Sequence, residues 1–181
     1  MIIVLNFKQS YITIMFHHNY PQTIVLPAIM KSVDVHYESQ PQGFLDVHLQ
    51  PNTLLLRGAT HKYQQVRKIL QHWLRVKAKT HLLPWLQQLS EQTQLQFHNA
   101  QIRNQKTLWG SCNSKKKISL NCKLLFLPPH LVQHILLHEL CHLTHLNHSK
   151  AFWDLLTHFD SHCHAHKKEM RKAHLLVPEW A

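Results

Sequence analysis

The sequence predicts an α+β fold, with a β-rich beginning, a long helical stretch, a second pair of strands and then C-terminal helices. Three observations carry this reading. Short β-branched and aromatic runs fill residues 1–57. From about His61 the apolar residues recur at helical spacing. Beyond the Pro128-Pro129 pair, helix signals dominate.

The elements follow in order. "IIVLNF", "YITIMF" and "TIVL" read as strands, interrupted by "HHNYPQ". "GFLDVHL" and "NTLLLRG" read as a hairpin with "QPN" as its turn. Val66, Ile69, Leu70, Trp73, Leu74, Val76 and Ala78 then mark a helix, which Pro84 is expected to kink or divide. "LQFHNAQIR" and "KISLNCKLLFL" read as strands joined through "NQKTLWGSCNSKK". Pro129 suits the first turn of a helix running to about Leu146. A further helix is expected from about Ser149, and "HKKEMRKAHLL" reads as a basic helical tail. The length suits a single domain over 1–181, with a β-rich part at 1–57 and the core at about 61–181.

Twenty Lys and Arg against nine Asp and Glu give a formal charge of +11, which favours acidic partners such as nucleic acid or nucleotides. Lys115, Lys116, Lys117, Lys167, Lys168, Arg171 and Lys172 read first as a solvated face. Cys112, Cys122, Cys141 and Cys163 form no CxxC pair and no disulfide framework, so reduced thiols and a cytoplasmic location are expected. The uncharged run from Gln9 to Met30 is broken by polar residues and makes a poor membrane span, and the start lacks a secretory signal.

The densest chemistry is His138-Glu139-Leu140-Cys141-His142, an HExxH motif. On a helix, i and i+4 share a face, so two imidazoles converge on one ion while the intervening carboxylate points to a neighbouring direction. With nineteen histidines, coincidence is the competing explanation. His130, His134, His138 and His142 all follow one another at i+4, but only His138 is followed directly by Glu. Glu91 and Glu139 are the only acidic residues between Val47 and Trp153. An acidic composition therefore does not account for the motif.

His145 shares the helical face of His138, but seven residues of helix rise about 10.5 Å, too far for a shared ligand shell of about 2 Å radius. The chain has to turn first. Asn147 suits that turn because Asn tolerates the left-handed conformation, and His148 follows it as the expected third ligand. His158, His162 and His166 also lie at i, i+4 and i+8, but without a converging carboxylate or CxxC they read as a solvated or adventitious cluster.

"HELCHLTHLNHSKAFW" resembles the signature of the YgjP-like zinc metallopeptidases, relatives of the SprT-like and WLM proteases, in which HELxHL precedes NHSxxFW. Asn147, His148, Ser149, Phe152 and Trp153 supply the second half, and "KTLWGSC" and "ISLN" are similar to upstream family motifs. Leu108 stands where the family usually carries Arg. The resemblance spans roughly His61 to the C-terminus. It implies a zincin-like domain, in which a small β-sheet packs against the helix that carries HExxH. It also implies one Zn²⁺ held by His138, His142 and His148, with Glu139 as the base that activates water to cut a protein or peptide substrate. Two other readings use the same ion: a nucleotide phosphohydrolase, favoured by the charge, and a DNA-associated zinc protease, which the SprT-like relatives suggest. Within "WGSC", Gly110 and Trp109 read first as packing residues, and second as a strand edge offered to an extended peptide. Phe152 and Trp153 read as core residues docking the last helix behind the metal.

Overall fold

The computed structural model describes residues 20–40 and 44–181. The expected strands "IIVLNF" and "YITIMF" lie outside them. The architecture is α+β, as expected: among the described residues there are two small mixed sheets and four α-helices. Among the described residues no helix is long and apolar enough to cross a membrane. The chain divides into two compact units. One takes in the described residues up to Ile24 with Ser32–Lys68, and the other takes in Val25–Lys31 with Ile69–Ala181.

The first sheet has the order β1-β2-β4-β3, formed by β1 (Thr23–Leu26), β2 (Lys31–Ser39), β3 (Asp46–Gln50) and β4 (Thr53–Gly58). β3 and β4 make the expected antiparallel hairpin, with Gln50 opposite Thr53 across Pro51-Asn52. β2 pairs with β4 in parallel and was not foreseen. Its alternation is real, since Val33 and Val35 are buried, but charged and polar residues between them obscure it.

α1 runs unbroken from Tyr63 to Thr93 with Pro84 inside it, so the expected division does not occur. Leu74, Ala78, Leu82 and Leu86 form one fully buried stripe that passes through the proline. Each buried Leu contributes about 1.5–3 kcal/mol, against roughly 3 kcal/mol for one interior proline. The stripe outweighs the break.

In the second unit, β5 (Asn99–Arg103) pairs in parallel with β7 (Lys117–Asn121), and β6 (Gly110–Cys112) pairs antiparallel on the other side of β7. β6 is therefore an edge strand. Ile118, Ser119, Leu120 and Asn121 of β7 are all buried. The expected strand stops at Asn121, and Cys122–Phe126 forms a 3₁₀ turn. The cause is local: the Asn121 side chain accepts the Lys123 N–H at 3.1 Å and caps that turn. Its Nδ2 donates to the carbonyls of Gln105 and Leu108, fixing the loop that leads into β6.

α2 spans Pro129–Cys141, with Pro129 in its first turn as expected. Leu131, Val132, Leu136, Leu137 and Leu140 are buried. The helix ends before the expected Leu146. The Leu143 and Thr144 N–H groups bond back to the Leu140 and Cys141 carbonyls, and the chain curls away. α3 (Lys150–Phe159) follows Ser149, α4 spans Cys163–Met170, and a 3₁₀ turn at Ala173–Leu176 closes the expected basic tail.

Candidate metal centre

α2 presents His138 and His142 one turn apart on one face. Their Nε2 atoms lie 3.1 Å from each other, and the His148 Nε2 lies 3.1 Å from that of His138. An ion bound tetrahedrally at about 2.0–2.1 Å separates its ligand nitrogens by about 3.3–3.4 Å. The three rings therefore need to open by only a few tenths of an ångström to admit one. His138 is depressed to about 3, first by burial and then by the neighbouring His142 and His148. Burial and then His142 also lower His148. Both hold their lone pairs free at neutral pH.

The early end of α2 serves this geometry. The His142 Nδ1–H donates to the His145 carbonyl at 2.9 Å, which leaves Nε2 as the free nitrogen. That contact requires the chain to curl at Leu143–His145. His145 thus enters through its backbone oxygen, and its imidazole is not part of the cluster. Sequence reasoning set the His145 ring aside but had no signal for the carbonyl. Asn147 is not left-handed, contrary to expectation: among the described residues the positive-φ residues other than Gly are Met30, Gln94 and Lys116. Its Oδ1 accepts the Ser149 N–H at 3.3 Å instead, an Asx turn that reverses the chain by a different hydrogen bond.

Phe152 is fully buried and forms the floor. Its ring centroid lies 4.6 Å from His142, 4.8 Å from His148 and 4.9 Å from His138. Trp153 departs from the expected core role. It stacks on His148 at 5.7 Å, carries Lys167 Nζ at 3.8 Å over its ring, and lines an open cleft of about 510 Å³. Trp109, Ile135, His138 and His148 line the same cleft.

Glu139 is 4% exposed, and its Oε2 has no hydrogen-bond partner. Burial pushes its carboxyl up to about 8 in the metal-free chain. A buried acceptor left unpaired is costly unless its site offers it a partner on loading. Gly110 makes the room: a Cβ there would lie 2.5 Å from Glu139 Oε1 and 2.8 Å from its Cδ. The packing role expected for Gly110 thus acts directly on the carboxylate. Three converging imidazoles beside an unpaired carboxylate fit a borderline cation such as Zn²⁺. The thiols fit less well, since burial raises Cys112 to about 11 and Cys141 to about 12.

Of the second histidine run, only His166 enters a donor cluster, and it does so with His134 and Asp160. His158 packs against Phe159 instead.

A family model described as YgjP-like, metallopeptidase domain, matches residues 23–173. No curated protein and no solved structure matches the chain.

Proposed function

Because the chain belongs to the YgjP-like metallopeptidase family, we propose that it is a zinc-dependent peptidase in which His138, His142 and His148 hold the ion and Glu139 is the base. The observation that carries this reading is the convergence of three Nε2 atoms beside a buried carboxylate whose Oε2 is unpaired. Zinc, when bound, supplies a Lewis acid that polarises a scissile carbonyl and acidifies water near neutral pH. Glu139 takes the proton released by the attacking water and passes it to the leaving amine, which breaks the C–N bond. Gly110 keeps the carboxylate in that position, and the Asn121 hydrogen bonds hold the loop before β6. The outer edge of β6 offers backbone groups to an extended protein or peptide segment, the second of the two readings of "WGSC". Trp109 and Trp153 line the cleft for an apolar side chain of that segment. A cytoplasmic setting accords with four free cysteines.

The second reading, a nucleotide phosphohydrolase, draws on the +11 charge and on Lys167 in the cleft. DNA-tethered proteolysis draws on the same charge. The test is parallel assay of the zinc-loaded full chain on a denatured protein and on a nucleoside triphosphate, with and without DNA. Cleavage of the protein alone, independent of DNA, supports the peptidase. Phosphate release without proteolysis would overturn it.

A further inference from the structure

We propose that His134, Asp160 and His166 form a second transition-metal site, separate from the HExxH centre. Three elements supply it. His134 lies on α2, one turn before His138; Asp160 ends α3; and His166 lies on α4. Asp160 Oδ2 faces both imidazoles, at 2.7 Å from His134 Nδ1 and 2.9 Å from His166 Nδ1. All three donor atoms lie within 4.8 Å of one another. Asp160 and His134 are 8% and 4% exposed, so this is a built arrangement and not a solvated chance meeting. Asp160 Oδ1 is held by the His162 N–H at 3.2 Å, which aims Oδ2 at the two rings.

In the metal-free chain the two Nδ1–H groups donate to the carboxylate. Loading at Nδ1 needs the other tautomer. Each ring gives up its single N–H proton at Nδ1 and takes one at Nε2 by exchange with solvent, so no proton is lost from the rings and the divalent ion takes the place of the two Nδ1–H groups against Oδ2. The contacts then open from 2.7 and 2.9 Å towards about 3.3 Å, the ligand separation of a tetrahedral site. Two imidazoles and one carboxylate select Zn²⁺, Co²⁺ or Ni²⁺ over Ca²⁺ and Mg²⁺, which prefer all-oxygen shells. A fourth ligand is at hand. His130 and His162 line the same cavity of about 240 Å³, and the His130 ring lies 5.1 Å from that of His166. His130 is already oriented by Glu169, 3.1 Å from its Nε2.

The ion would tie α4 and the end of α3 to α2, one turn from the HExxH pair. Its role is to brace that wall of the cleft, with no part in the reaction itself. Binding to the folded state alone then raises the melting temperature.

The test uses full-length His148→Ala, in which the first centre is disabled, with zinc alone as the probe. Expected is retention of about one zinc per chain after desalting. A rise in Tm of about 5 °C or more is also expected with zinc at a hundredfold excess over Kd. Cobalt should give visible ligand-field bands in the same chain. His148→Ala/His166→Ala and His148→Ala/Asp160→Asn should lose all three signals, while His148→Ala/His158→Ala keeps them. Matched circular dichroism of the metal-free chains establishes that these variants fold, and His166→Ala alone should keep the zinc of the first centre. Equal retention in all the double variants, or none in His148→Ala, would mean an adventitious ion only and would overturn the site.

Discussion

Two halves of one helix stripe behave differently. His130, His134, His138 and His142 follow each other at four-residue spacing along α2 and onto its C-cap. The upstream pair meets carboxylates: His130 faces Glu169 at 3.1 Å and His134 faces Asp160 at 2.7 Å. The downstream pair meets another imidazole, His148, and a backbone carbonyl. Residue type and spacing are the same, so the distinction comes from what the later chain brings back to the helix. Electrostatics then sets the use. Three neutral imidazoles leave a divalent ion its full charge for polarising substrate, whereas one carboxylate ligand halves that net charge. Only the downstream half has a spare carboxylate beside it, Glu139, free to handle protons. The first arrangement suits chemistry and the second suits bracing.

The sharpest way to break this contrast is Glu139→Gln. Glutamine keeps the size and removes the proposed base, so the turnover rate should fall by about 10²–10⁴-fold. Zinc at both clusters should be unchanged, as read by metal analysis on the same sample. Activity within a few-fold of wild type would mean that the two halves do not differ in this way.

Gly110→Ala tests how the carboxylate is placed. The new methyl meets Oε1, Cδ and Cγ of the buried Glu139 side chain at 2.5–2.8 Å, so that side chain has to shift. Overpacking of this kind costs about 1–3 kcal/mol, and a shift on the order of 1 Å in a reacting group costs about 10²-fold in rate. The expected result is a melting temperature lowered by several degrees and near-normal zinc content, with a rate reduced by about 10–10²-fold. A melting temperature that collapsed along with activity would make Gly110 a purely structural residue.

Much of the downstream site was legible in the sequence, and the upstream one was not. HExxH is a local pattern, and a helical period converts it directly into convergence. The place of His148 in the imidazole cluster was reachable because a straight helix cannot bring a third imidazole to His138 and His142, so a turn had to intervene. The His134–Asp160–His166 cluster joins residues separated by 26 and 6 positions, and no periodicity links them. The sequence run His158, His162 and His166 read as a solvated or adventitious cluster, and its spacing concealed the pairing of His166 with Asp160, because α3 ends at Phe159 and Asp160 turns the chain. In the fold, the hairpin and the start of α2 were legible through turn chemistry and proline. Pro84 misled because propensity speaks for one residue while the buried stripe of α1 is collective. The strand expected beyond Asn121 failed for the opposite reason, since one side-chain cap overrode an apolar run.

Metal removal gives a smaller, pH-dependent effect. In the metal-free chain Glu139 is raised to about 8 from the ordinary 4.5, because burial disfavours the carboxylate. The folded state then holds its proton where the unfolded chain has already lost it. Any stability linked to this group is intact below about pH 4.5 and falls as pH rises towards 8. Urea unfolding of the chelated protein should show Cm falling over that window. Glu139→Gln should flatten the component of the profile that belongs to this residue. An equally steep profile in the variant would assign the loss to other groups.

The smallest expected effect concerns His145. Its imidazole stands outside the downstream cluster, while its carbonyl accepts the His142 Nδ1–H at 2.9 Å. A substitution that removes only the side chain keeps that oxygen, so His145→Ala should hold zinc and retain activity within about twofold, in the range of a surface change with no named mechanism. His145→Pro separates backbone from side chain. It deletes the His145 N–H, which bonds the Cys141 carbonyl at 3.0 Å and helps to set the curl. With the curl disturbed, the His142 ring loses its orienting acceptor, and loss of such a partner to a ligand typically costs about 10–100-fold in metal affinity. Zinc titration against a chelator ranks the two variants. If His145→Ala lost zinc as His145→Pro does, the ring itself would be a ligand, and the downstream half would draw its third donor from the helix end.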